Sequence, residues 1–192
     1  MTCARKPGWW AYWLVSARRV KKTRKSEPRR SRIIHVTLVC FAFFLITLPV
    51  FRIGLLGWRL LPEARAAFWI GVALLFAGLG FALWARVHIG EYWSGTVALK
   101  QEHRLIRTGP YALVRHPIYV GTFLGFFGTT VANGEVRGAV ALAILVLLHL
   151  LKSRREERWL LQEFGEQYVR YCKEVNALMP FPRWTNRPLS ML

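Results

Sequence analysis

The sequence contains no aspartate. Its ten acids are all glutamate, set against 28 Lys+Arg for a net charge of +18 over 192 residues. Cysteine is almost as scarce: Cys3, Cys40 and Cys172 are odd in number, far apart and form no C-x-x-C pair. A disulfide framework and a cysteine-based metal site are therefore both excluded. No internal repeat or low-complexity domain is visible, and no small-residue cleavage site follows the short apolar start, so a secretory signal is not expected. So basic a chain suggests nucleic acid or an anionic membrane. Nine Trp, twelve Phe and a mean hydropathy of +0.25 fit the membrane and not a basic nucleic-acid-binding domain. The length leaves no room for a full soluble enzyme domain beside several spans.

The charged residues bracket long apolar runs. Residues 33–51, 66–85 and 116–134 lie between charges and, at 1.5 Å per residue, each gives roughly 28–30 Å of helix, enough to cross a bilayer. The fourth run, 138–151, is short and becomes a span if Arg137 and Lys152 snorkel outwards at its ends. About four transmembrane helices are expected in an all-α, polytopic fold, with a cytoplasmic amphipathic helix after the last span. Of the 28 basic residues, 24 fall in segments 1–32, 86–115 and 152–192. The positive-inside rule then places both termini and the central loop in the cytoplasm, as for a multi-pass protein of a bacterial inner membrane. The chain divides into a basic segment at 1–32, a first transmembrane hairpin at 33–85, and a region at 86–192 that holds the loop, the second hairpin and the C-terminal helix. Trp9-Trp10-Ala11-Tyr12-Trp13-Leu14, followed by basic residues, reads as an interfacial anchor or as a topology-setting tail.

Polar residues gather where the central loop enters the third span. Gly109-Pro110 breaks any helix, and Pro117 suits a first turn. His116 and Tyr119 share a helical face, with Arg115 just before them. Such residues either anchor a helix end or line a site. Gly121, Gly125 and Gly128 form a smooth face that admits a second backbone or a bulky cofactor. Gly78-Leu79-Gly80 only imitates a dinucleotide loop, because no strand precedes it. Beyond the fourth run, Leu160, Leu161, Phe164, Tyr168 and Tyr171 recur at helical period, with a bend or break at Gly165. Glu156 and Glu157 stand within about two turns of the membrane exit, as salt-bridging acids of a solvated face or as site residues.

Taken as an ordered set, Gly109-Pro110-Tyr111, Arg115-His116-Pro117-x-Tyr119-x-Gly121, Glu156-Glu157, Phe164-Gly165-x-x-Tyr168-x-x-Tyr171 and Leu178-Met179-Pro180 resemble the isoprenylcysteine carboxyl methyltransferase family. The resemblance covers residues 90–182, with Tyr92-Trp93-Ser94-Gly95-Thr96 similar to bacterial members. Phospholipid N-methyltransferases share part of the pattern, and membrane sterol reductases are similar more remotely. The resemblance implies an S-adenosylmethionine-dependent methyltransferase whose cofactor lies between the last membrane hairpin and a re-entering C-terminal segment. It carries cofactor contacts to His103, Arg104, Leu105, Ile106, Tyr111, His116, Pro117, Ile118, Tyr119 and Glu156, with a further one aligned at Thr96. Substrate contact falls to Lys152, where the family has Arg, or to Arg154 or Arg155. Arg115 and Glu157 are the candidates for arranging the methyl acceptor and closing the site. The implied partners are membrane lipids and a lipophilic small-molecule or lipidated substrate, with neither nucleic acid nor metal. A nicotinamide-dependent membrane reductase and a non-catalytic membrane protein are the alternatives.

Overall fold

The computed structural model describes residues 23–26, 28–90, 98–100 and 105–179. Trp9–Leu14, Thr96, His103 and Arg104 lie outside them. The fold is a helical membrane protein. Helix α1 spans Arg29–Thr47, α2 Arg65–Ile89, α3 Pro110–Leu113, α4 Pro117–Asn133, α5 Val136–Phe164 and α6 Glu166–Glu174. Helices α1, α2 and α5 are long and apolar enough to cross a membrane, and α4, at 17 residues, spans about 25 Å. Large apolar side chains such as Phe43, Trp69, Phe76 and Leu147 point outwards and suit lipid contact. The short fourth run of the sequence is part of the longest helix. Membrane segment and polar extension are one continuous α5 of 29 residues, about 43 Å.

Two boundaries differ from the charge-free intervals. Helix α1 stops at Thr47, because Leu48 precedes Pro49 and is extended. Residues Pro49–Phe51 and Gly54–Gly57 then make two 3₁₀ turns. Arg137 does not snorkel outwards. It is 3% exposed, pairs with Glu135 and donates to the carbonyls of Leu48 at 2.7 Å and Leu45 at 3.3 Å. It therefore satisfies carbonyls at the end of α1 that have no partner within the helix. Glu135 also pairs with Arg52 at 2.5 Å, which ties the 49–64 connection to the α4–α5 turn. The all-α expectation also omitted one small feature. Strand β1, Thr23–Ser26, pairs antiparallel with β2, Ala98–Lys100, so the end of the basic N-terminal segment is joined to the central loop.

The helices neighbour one another in the order α1, α5, α4, α2. Glycine decides the α2–α4 contact. A Cβ on Gly78 would stand 2.5 Å from the Gly121 carbonyl oxygen, and one on Gly71 the same distance from that of Gly128. The two antiparallel pairs are seven residues apart on each helix, so both backbones touch along one stripe. The smooth glycine face thus packs a helix. Gly78→Ala is expected to cost about 1–3 kcal/mol of stability in detergent through overpacking. Gly80→Ala, where a Cβ would meet nothing within 4 Å, should leave the thermal midpoint unchanged. Equal losses at both positions would contradict this packing.

Candidate functional site

The site is assembled at the junction before α4. Gly109 has φ +59° and its Cα faces the His88 ring, which a Cβ would meet at 2.7 Å. Any other residue would be strained there and would push His88 away. His88 Nε2 lies 2.9 Å from Thr108 Oγ1, and its ring stacks at 6.4 Å on Tyr111, the buried second residue of α3. Pro117 then opens α4 at its first position, where the missing N–H costs nothing. The backbone N–H groups of Arg115 and His116 donate to the carbonyls of Asn176 (2.8 Å) and Ala177 (3.0 Å). The chain beyond α6 therefore returns to the junction.

One buried ion pair holds these pieces. Arg115 donates through Nε (2.9 Å) and Nη2 (2.6 Å) to Glu157 Oε1 on α5, and through Nη1 to the Val175 carbonyl at 2.6 Å. Both side chains are about 5% exposed. His116 Nε2 stands 3.1 Å from the same carboxylate oxygen. A carboxylate only accepts, so Nε2 carries a proton. Burial pushes Glu157 up, but the His116 hydrogen bond and the Arg115 charge outweigh it and hold the carboxyl below its usual range. Burial likewise pulls Arg115 down, and Glu157 reverses the shift. The pair is therefore ionised. On the next face of α5, Glu156 Oε1 accepts from the Tyr119 hydroxyl at 2.8 Å, and its other oxygen is 3.7 Å from His116 Nδ1. The His116 and Tyr119 rings lie parallel, 5.3 Å apart.

Helix α6 closes the arrangement from below. Gly165, at φ +49°, ends α5 and turns the chain. Tyr168, Tyr171 and Cys172 are buried against Leu105, Leu160, Leu161 and Phe164. The Tyr171 hydroxyl donates to the Tyr111 carbonyl at 2.5 Å, and Arg107 pairs with Glu174 while sitting over the Tyr171 ring. Burial raises Tyr111, Tyr168 and Tyr171 above the ordinary phenol range, which keeps their hydroxyls neutral.

Of the residues singled out in the sequence, the fold brings together Tyr111, Arg115, His116, Pro117, Tyr119, Glu156 and Glu157. Leu105 packs against α6, while Ile106 and Ile118 are half-buried nearby. Lys152 joins the cluster, its ammonium 5.6 Å from the Tyr119 ring centre. Arg154 does not: it is exposed, two residues away from both Lys152 and Glu156 and so on another face of α5. Arg155 donates to Ser31 of α1 at 2.7 Å. Sequence reasoning passed over His149, because an uncharged histidine leaves an apolar run unbroken, and over His88, which belongs to no motif of the central loop. Among the described residues no three His, Cys or Glu side chains gather as metal ligands.

Comparison with known proteins gives the family. A family model described as phospholipid methyltransferase matches residues 66–167. Protein-S-isoprenylcysteine O-methyltransferase B of Arabidopsis thaliana is 29% identical over 126 residues, which are 62% of this chain and 64% of that protein. The probable protein-S-isoprenylcysteine O-methyltransferase of Oryza sativa subsp. indica is 32% identical over 130 residues, 64% of this chain and 67% of its own. The chain thus spans about two thirds or less of the length of these relatives. The solved structure of the eukaryotic intramembrane Ras methyltransferase, an isoprenylcysteine carboxyl methyltransferase, superposes with a TM-score of 0.51 at 24% identity, over 81% of this chain and 54% of that one. The likeness to that structure is one of fold.

Glu157→Ala strands the Arg115 guanidinium and is expected to cost about 3–5 kcal/mol of stability in detergent. The contribution of Glu157 is complete at and above the ordinary carboxylate range and is lost as pH falls through its lowered value. Thermal melts of the parent should therefore keep this increment at pH about 4.5 and lose it only in stronger acid. A Glu157→Gln protein should lack the increment throughout. Parallel acid profiles for the two proteins would contradict the ion pair.

Proposed function

We propose that this chain, which belongs to the phospholipid methyltransferase family and to the isoprenylcysteine carboxyl methyltransferases within it, transfers a methyl group from S-adenosylmethionine to a lipophilic acceptor at the membrane surface. The observation that carries the reading is the Tyr119–Glu156 hydrogen bond beside the stacked His116 ring. It sets a carboxylate, a hydroxyl and an imidazole side by side at the mouth of the last hairpin.

The donor set fits the cofactor. Glu156 is partly enclosed, its side chain 22% exposed, and a carboxylate of this kind pairs with the ammonium of an amino acid. The Tyr119 hydroxyl, released from Glu156 as the ammonium takes its place, is a donor for the amino-acid carboxylate, while His116, whose Nε2 proton is held by Glu157, presents its ring beside it. The Tyr111 and His88 rings offer flat faces to an adenine. Leu105, Ile106, Pro117 and Ile118 supply apolar walls, and His103 and Arg104 complete the contacts by resemblance. When bound, the sulfonium supplies an electrophilic methyl group, and its transfer needs alignment and exclusion of water more than acid–base help.

Arg115 and Glu157 act as positioning residues. Their buried pair fixes His116 and draws the 175–177 segment over the junction. Lys152 is the cation for the acceptor's head, entering from the lipid side. Both termini and the 86–115 loop are cytoplasmic, with α4 as the third of four spans, in a bacterial inner membrane. The partition at 32 and 85 separates a surface segment and a first membrane portion from the methyltransferase region.

Incubation of the purified protein with methyl-labelled S-adenosylmethionine and a lipid extract should move label into the organic phase, and none would be moved if the reading were wrong. Glu156→Ala should weaken cofactor binding 10- to 100-fold, roughly 1.5–3 kcal/mol; unchanged calorimetric affinity would make Glu156 a solvated acid only. His116→Tyr suits an interfacial anchor as well as His does. If His116→Tyr binds the cofactor like the parent, while His116→Gln shows no special retention, His116 is an anchor and not a contact. Cysteine labelling that placed residue 107 outside the cytoplasm would overturn the topology.

A further inference from the structure

Helices α1 and α5 run antiparallel along one seam. Arg137 at the start of α5 reaches the carbonyls ending α1, and Arg155 near the other end donates to Ser31 Oγ at 2.7 Å. Between these points Ala42, Leu45 and Ile46 pack with Ala141. The Ser31–Arg155 contact sets the phase of both helices. One residue is about 100° of helix, so in an antiparallel pair the preceding residues, Arg30 and Arg154, fall on the same side of the seam. The following residues, Arg32 and Glu156, fall on the other side, where Glu156 meets Tyr119.

On the first side, Ile34 and Phe41 of α1 and Leu147 and Leu151 of α5 are exposed, so two lipid-facing stripes meet there. Arginines head both stripes. Arg30 stands one turn before Ile34, and Arg154 and Arg158 continue the Leu147–Leu151 face at helical spacing. All three arginines are exposed. Along the axis Arg154 lies about 4.5 Å and Arg158 about 10 Å beyond Leu151, which covers a headgroup layer roughly 5–8 Å thick. Arg158 donates through Nε to the Arg154 carbonyl at 3.3 Å, so its side chain folds back towards the membrane. Among the described residues no carboxylate pairs with any of the three. The neighbouring acids are engaged elsewhere, Glu156 with Tyr119 and Glu157 with Arg115.

We propose that this crevice holds one anionic phospholipid of the surrounding leaflet, its phosphate between Arg30, Arg154 and Arg158 and an acyl chain along the groove between the stripes. Three like charges around one crevice repel unless an anion stands among them, and lipid phosphate is the anion abundant at this depth. The residue type is specific. Lysine sets topology as well as arginine does, and the sequence uses it at Lys21, Lys22 and Lys25. Guanidinium groups match phosphate oxygens in pairs, which an ammonium cannot do. A zwitterionic lipid brings its own cation beside the arginines, and inorganic phosphate has no chain for the groove. The lipid joins the first turn of α1 to the polar extension of α5, across the seam from Glu156. It therefore stands outside the proposed methyl-transfer cluster and does not depend on that reading.

The test is native mass spectrometry of the whole protein in dodecyl maltoside, titrated with dioleoylphosphatidylglycerol or with dioleoylphosphatidylcholine. The parent should bind phosphatidylglycerol about 10-fold more tightly than phosphatidylcholine. Arg154→Gln/Arg158→Gln should abolish that preference, and Arg30→Gln should reduce it severalfold. Arg32→Gln makes the same change of charge on the other side of the seam and should bind like the parent. A parent without the preference, or a double variant that keeps it, overturns the proposal. Equal losses in Arg30→Gln and Arg32→Gln also overturn it, because charge at the helix end would then suffice. If the double variant does not purify, the Arg30→Gln and Arg32→Gln comparison decides alone. Displacement of phosphatidylglycerol by inorganic phosphate would make the crevice a phosphate site and overturn the lipid assignment.

Discussion

The buried Arg115–Glu157 pair joins three parts of the chain that are far apart in sequence. Glu157 comes from the C-terminal part of α5, Arg115 from the junction before α4, and the carbonyl of Val175 from the segment after α6. Neither charge could be buried alone, because desolvation would cost several kcal/mol per ion. Each is tolerated because the other, with His116, fills its hydrogen-bonding capacity. The pair therefore works as a registration device. When it forms, His116 and Tyr119 must face Glu156, and the chain after α6 must lie along the junction.

The glycine stripe between α2 and α4 performs a similar task within the membrane. Backbone contact at Gly71–Gly128 and Gly78–Gly121 fixes how α4 is rotated, and hence where its first turn aims His116 and Tyr119. At the opposite end, Glu135 with Arg52 and Arg137 fastens the α4–α5 turn to the end of α1. Helix α5 is thus held at both ends by buried ion pairs.

Much of this was legible in the sequence, because apolar runs between charges report membrane helices and the 3.6-residue period reports the apolar face of the amphipathic C-terminal segment. The residues Tyr111, Arg115, His116, Tyr119, Glu156 and Glu157 could be named as one set only through the order of their motifs. Spacing could not say that Arg115 meets Glu157 rather than solvent. Arg137 was misread for the same reason: its partners, Glu135 and the carbonyls ending α1, include atoms 92 residues away. Arg154 was included because charge near 152–155 was visible while the face it occupies was not. His149 left no trace in a search for charges. The β1–β2 ladder is too short to leave a period-2 signal.

The central claim is that this registered cluster is a binding site for a cationic, amino-acid-bearing nucleoside and not for a nicotinamide. The most direct measurement is calorimetric titration of the purified protein in detergent with S-adenosylmethionine and, separately, with NADPH. Saturable binding of S-adenosylmethionine with no heat from NADPH is the expected result. Saturable binding of NADPH without S-adenosylmethionine would contradict the claim.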